Sequence, residues 1–231
     1  MSEFTNHEEI NNELPNLDHK TETIMEWILQ QALAGVPPLS PAATLAEEIQ
    51  RIYPQADAKT LAYKLVQRES YKNFSTGFIT GIGGLVTLPW ALPSSLVASW
   101  VLQARLVAAI AKLGGHDLED PRIRKLVVWA LFGDAVKEVL KDSGVHLLKR
   151  FTVSFMIRLP ANVIMAVQRK LGLIFLERAT RHGAAGLVKV VPVVGGVVSG
   201  FIDAAVLRRI GKTAIKWFLT QPESAEETDI P

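Results

Sequence analysis

The chain has 231 residues, 48% of them apolar, no cysteine and a net charge of +2. That length allows one full hydrophobic core, and the missing cysteine excludes disulfides and thiolate chemistry. Mean hydropathy of +0.20 is high for a soluble protein and low for a polytopic membrane protein. The small net charge conceals a division. Residues 1–57 hold ten acids and two bases, residues 58–220 hold 23 bases and nine acids, and residues 221–231 hold four acids and no base. A cationic, apolar middle favours an anionic lipid surface, where each well-placed Lys or Arg contributes about 1 kcal/mol. Nucleic acid ranks below lipid, because the bases are not interleaved with aromatics on a stacking surface. A plain solvated basic face is the bland alternative.

In chain order, residues 1–16 read as a disordered acidic arm without the basic and apolar regions of a signal peptide. Residues 17–57 read as an N-terminal helical extension. Its first helix runs from Asp18 or Thr21 to Ala34 and is stopped by Gly35-Val-Pro-Pro38; its second runs from about Ser40 to Tyr53 with Pro41 in the first turn. The core then spans 58–220. Asp57 caps a third helix, on which Leu61, Ala62, Leu65 and Val66 share a face.

Between Lys72 and Arg105 lie 32 consecutive uncharged residues. A membrane-spanning helix needs about 20 apolar residues, but Pro89 and Pro93 interrupt the run. The expected shape is a Gly/Pro-rich apolar hairpin over residues 74–113, ended by Gly114-Gly115. Asp120-Pro121 starts a further helix, expected to continue to Asp142 and to stop at Gly144. Shorter helices are expected at 145–158, 161–170 and 173–182, then a long one from Val193 to Leu219. The Gln221–Pro231 tail is acidic and reads as disordered. No period-2 alternation argues for strands.

Glycines recur at helix-packing spacing: Gly77 and Gly81, extended by Gly83 and Gly84, and again Gly196 and Gly200. Glycine inside a helix costs about 1 kcal/mol relative to alanine. The recurrence therefore points to backbones in close approach, with or without lipid. On the last helix Asp203, Val206, Ile210, Ala214 and Trp217 fall at steps of three and four, placing a carboxylate on an apolar face. A buried carboxylate needs a partner, and Arg105 and Lys137 are the expected ones. With Asp134 they make an expected polar core network, although Asp134, Lys137, Glu138 and Lys141 also fit a solvated, charge-paired helix face.

Familiar catalytic patterns fail. Gly211-Lys-Thr213 resembles the end of a phosphate loop, but Val206 stands where its first glycine belongs. The five histidines are scattered, and no serine-hydrolase motif exists. No catalytic, cofactor-binding or metal-ligating residue is assigned.

The order of motifs resembles the EcsC family of bacterial proteins. The stretches are Thr76–Gly84 running into Thr87-Leu-Pro-Trp-Ala-Leu-Pro93, Gln103-Ala-Arg105, Gly133–Glu138, Val191-Pro-Val-Val-Gly-Gly196, Asp203 and Ile210-Gly-Lys-Thr-Ala214. Residues 83–140 also resemble a membrane-associated helical domain attached to some bacterial GTPases. Both resemblances imply a helical, membrane-linked protein, and neither implies a reaction.

The expectation is therefore an all-α, single multi-helix bundle of about eight to ten helices, with the central hairpin packed on the final helix. The expected role is a non-enzymatic accessory protein in the cytoplasm, on the inner face of the cell membrane. Its partner would be anionic lipid or a membrane protein of transporter type. The residues expected to touch the membrane are Leu88, Trp90 and Leu92 in the proline turn, with Arg169, Lys170, Arg178, Arg181, Arg208, Arg209, Lys212 and Lys216. Two alternatives stand beside it: a carrier holding an apolar ligand or lipid inside the core, and a hydrolase using Asp134 and Asp203.

Overall fold

Helix caps fall where local chemistry dictates them. In the computed structural model of the chain, backbone is described for residues 21–75, 94–145, 151–185 and 192–220, and side chains for 21–72, 96–145, 151–177 and 204–220. Nine helices and no strand occur among them. They are α1 (21–34), α2 (Ala42–Ile52), α3 (Ala58–Ser75), α4 (Ser94–Leu113), α5 (Pro121–Ala130), α6 (Gly133–Asp142), α7 (Val153–Met156), α8 (Ala161–Ala185) and α9 (Pro192–Phe218). The architecture is an all-α bundle.

Asp57 Oδ1 accepts the Thr60 amide at 2.9 Å and starts α3. Asp120 Oδ1 accepts the Arg122 amide at 2.8 Å, with Pro121 in the first turn of α5. At the other ends, Gly115 (φ 79) and Gly144 (φ 72) adopt the left-handed conformation that closes α4 and α6. The His116 amide then reaches back to the Ala111 carbonyl, and the Val145 amide to that of Leu140.

The core is built around α4. Every residue from Val101 to Ala111 is buried, and the helix packs against α2, α3, α5 and α9. Trp100 stacks on Phe175 of α8 with ring centroids 4.4 Å apart. Leu96–Leu113 is long and apolar enough to cross a membrane, yet 89% of that stretch is enclosed by the bundle. Its apolarity is accounted for by the core it builds. Residues 21–57 belong to the same core, since Ile28, Leu29, Leu45 and Ile49 join one cluster with the α4 residues.

α9 lies along α3 and α4, which fits the expected packing for the second limb of the hairpin. The first limb lies outside the described residues. A Cβ at Gly211 would stand 3.0 Å from Val66 Cγ1 and closer still to Cγ2. Glycine there lets α9 and α3 meet backbone to side chain, an approach not tied to the glycine pairs singled out from the sequence.

Three expected boundaries differ. The helix expected over 120–142 is two helices, α5 and α6, parted at Leu131-Phe132. The break brings the backbone of Gly133 against α9, where a Cβ would stand 2.6 Å from Thr213 Cγ2. The helices expected at 161–170 and 173–182 are one continuous α8. Gly172 neither provides a left-handed turn nor stops it, because a glycine with a buried face is tolerated in a helix. The helix expected at 145–158 is reduced, within the described residues, to the single turn of α7, capped by Thr152 accepting the Phe155 amide at 3.4 Å.

Candidate functional site

The outer face of α9 is basic. Arg208, Arg209, Lys212 and Lys216 are all exposed, as the sequence spacing implies. The buried face is Ala204, Leu207, Ile210, Ala214, Ile215, Trp217 and Phe218. Val206, expected on the apolar face, is 37% exposed, and Leu207, three residues before the buried Ile210, occupies the inward position. Arg209 forms an ion pair with Asp134 of α6. Lys216 Nζ lies 5.5 Å from the centroid of the Phe151 ring. Arg208 and Lys212 have no ion-pair partner among the described residues.

The expected polar core network is not one network. Asp134 and Lys137 pair with each other at 3.1 Å on the outer face of α6, and the Asp134 side chain is 56% exposed. The Lys137 ammonium hydrogen-bonded to Asp134, aided by the Arg209 charge, holds this carboxyl below the ordinary aspartate value. That suits an ion pair rather than a catalytic acid, which must keep its proton near neutral pH. The carboxylate pattern of α6 is thus a charge-paired surface face, joined to α8 by Lys170 and Glu138 at 3.9 Å.

Arg105, by contrast, is buried at 5% exposure, and its partner is one that sequence reasoning missed. Its Nη1 donates to Glu69 Oε2 at 3.1 Å, its Nε to the Ser40 carbonyl at 2.6 Å and its Nη2 to Ser40 Oγ at 2.9 Å. Glu69 Oε1 is met by Arg68 at 3.4 Å and by Lys72 at 3.7 Å, and Arg68 reaches Glu48 at 3.3 Å. Burial pushes the Arg105 guanidinium below its ordinary pKa, with the Glu69 charge opposing that shift; arginine stays charged nonetheless. The network ties α2, α3 and α4 together. The signal for it was present: Glu69 and Ser70 continue the apolar face of Leu61, Ala62, Leu65 and Val66 by one further turn.

A third feature has no counterpart in the sequence reading. A cleft of about 1000 Å³ opens where α1, α5 and α8 meet. Its walls include Met25, Val128, Trp129, Met165, Ala166 and Leu171, with Glu22, Glu26, Glu119, Arg124, Lys125 and Arg169 among its polar groups. Arg169, expected at a membrane surface, is one of these lining residues.

Leu88, Trp90, Leu92, Gly77, Gly81, Gly83 and Gly84 lie outside the described residues, as do the N-terminal arm and the acidic tail. Gly196 and Gly200 lie in the helical backbone of α9, and the side chains of Asp203, Arg178 and Arg181 are outside the described set. Among the described residues no group of three His, Asp or Glu side chains is placed to hold a metal ion. No protein-family model, characterised protein or solved structure matches the chain.

Proposed function

We propose that this is a non-enzymatic, membrane-associated accessory protein that binds an anionic lipid surface peripherally through the outer face of α9. The observation that carries the reading is the exposure of Arg208, Arg209, Lys212 and Lys216 along one helix, with Val206 exposed beside them. Four cations near an anionic bilayer contribute about 1 kcal/mol each. Arg209 contributes less while it is held by Asp134. Such attraction suits reversible docking, since stable attachment takes a second signal. The burial of α4 favours docking on a bilayer over spanning one. The EcsC resemblance, with its membrane-linked implication, agrees with this reading and supplies no reaction.

The test is vesicle flotation with phosphatidylserine-containing and pure phosphatidylcholine vesicles over a salt series. Binding to the anionic vesicles alone, weakening as salt rises, is the expected result. Reversing Arg208, Lys212 and Lys216 to Glu should abolish it. A charge-reversed variant that floats like wild type, or a wild type that floats with neither vesicle, overturns the proposal.

A further inference from the structure

The cleft between α1, α5 and α8 has a division of charge that selects among occupants. Each of its three acids is engaged. Glu22 accepts from Gln168 at 3.4 Å. Glu26 accepts from Gln30 at 3.2 Å and is paired with Arg124. Glu119 stands 3.8 Å from the same guanidinium. Arg124 is thereby shared between two carboxylates, its side chain only 14% exposed. Lys125 of α5 and Arg169 of α8 are exposed cleft residues with no ion-pair partner among the described residues. Three acids and three bases leave the cleft formally neutral, but the charge is divided: the acids gather about α1 and Arg124, and Lys125 and Arg169 are the two cations with no carboxylate on them among the described residues.

Apart from Thr21 and Asn162, the rest of the wall is apolar. Met25, Val128, Trp129 and Leu171 form a floor that the bundle holds partly or wholly out of water, and Met165, 63% exposed, stands on the α8 side. Behind that floor lies a small void of about 10 Å³, lined wholly by apolar residues that include Trp100, Phe132 and Phe175. Met25 and Val128 line both spaces. Methionine is unbranched and adapts to what it touches, so the partition between cleft and void can yield to an apolar group.

We propose that this cleft binds a single-chain anionic amphiphile of the fatty-acid class, its chain on the Met25–Val128–Leu171 floor and its carboxylate on Lys125 and Arg169. A cleft of this size lies at the upper end of the range for small-molecule sites, which are mostly apolar with a few placed polar groups. Arginine's fork matches a carboxylate. One carboxylate is matched by the two cations that carry no carboxylate, whereas a dianionic phosphate would add a second negative charge to a cleft whose three acids already balance its three bases. The site is independent of the α9 surface, because it uses none of the α9 cations.

The experiment is equilibrium dialysis of the full chain with labelled palmitate, methyl palmitate and hexadecyl phosphate. Palmitate should be retained saturably, one molecule per chain, and at least tenfold more tightly than the other two. Ala166→Trp, at an exposed cleft position outside the core, should weaken palmitate at least tenfold. The pair Lys125→Glu and Arg169→Glu should weaken palmitate tenfold while leaving methyl palmitate unchanged. Circular dichroism melts establish that each variant is folded, and Met165→Trp replaces Ala166→Trp should the latter not fold. Absence of palmitate retention, equal binding of the ester, tighter binding of the phosphate, or wild-type binding by the folded cleft-filling variant each overturns the proposal. Failure of vesicle flotation leaves it standing, which separates the two readings.

Discussion

Arg105 of α4 and Glu69 of α3 form a buried ion pair at 3.1 Å, their side chains 6% and 10% exposed. Two charges out of water are held together by mutual attraction and by the hydrogen bonds that complete each partner. Arg105 donates to Glu69 of α3 and to both oxygens of Ser40, in the segment that leads into α2. Removing Arg105 leaves the buried Glu69 with only its longer contacts to Arg68 and Lys72. Arg105→Met should cost about 3–5 kcal/mol of unfolding free energy. The double variant Arg105→Met with Glu69→Leu should lose less than the single, because no charge is stranded. Urea denaturation of the four species closes this cycle. A double variant that loses the sum of the two singles would show that the pair has no coupling.

Next to Glu69, Ser70 is fully buried, and its hydroxyl has no hydrogen-bond partner among the described residues. A buried hydroxyl left unpaired costs about 1–3 kcal/mol in lost hydration. Alanine has nearly the same shape and the higher helix propensity. Ser70→Ala should therefore stabilise the protein by about 1 kcal/mol, read as a higher denaturant midpoint at unchanged slope. A drop in stability would mean that the hydroxyl is bonded in solution.

Asp134 sets a pH dependence of known sign. Lys137, then Arg209, hold its folded-state pKa below the ordinary value of 3.8. A depressed carboxylate stabilises the fold above its unfolded pKa, and that contribution is lost as pH falls through the folded value. Its side chain is 56% exposed, so solvent screening limits the gain to under about 1 kcal/mol. Asp134→Asn should accordingly be slightly less stable than wild type at neutral pH. The difference should shrink in high salt, begin to fall as pH drops below about 3.8, and vanish once pH is below the lower folded-state value. Parallel melts of the two proteins from neutral to acid pH decide it.

The caps at Asp57 and Asp120-Pro121 and the stops at Gly115 and Gly144 were legible because each is local: one side chain or one dihedral settles the matter. What the sequence did not disclose depends on a distant partner. The parting of α5 from α6 carries no proline, and the neighbour that Gly133 meets there, Thr213, comes 80 residues later. The sequence marks Arg105 and points to α6 and α9 for its partner, whereas the partner lies on α3. The apolar members of the α3 stripe end at Val66, one turn short of Glu69. The basic face of α9 was readable from spacing alone, since exposure follows once the apolar stripe is placed. The cleft was not, because its residues come from three helices separated in sequence and no period links them.

The contact of Gly211 with Val66 sets the distance between α9 and α3, and it decides a competition between two effects. Replacing Gly211 by alanine should raise helix propensity by about 1 kcal/mol. The new Cβ, however, would stand 3.0 Å from Val66 Cγ1 and nearer to Cγ2. Valine is stiff about its single side-chain torsion in a helix, so the strain must be relieved by moving helices that share a packed core. Overpacking of that kind costs about 1–3 kcal/mol, and the collision should win: Gly211→Ala destabilises. Val66→Ala removes both colliding methyls. The double variant should therefore be more stable than Gly211→Ala alone, even though Val66→Ala by itself opens a cavity and destabilises. Thermal melts of the four proteins give the coupling. Additive losses would mean that α9 and α3 adjust freely, and that glycine at this position is not what brings them together.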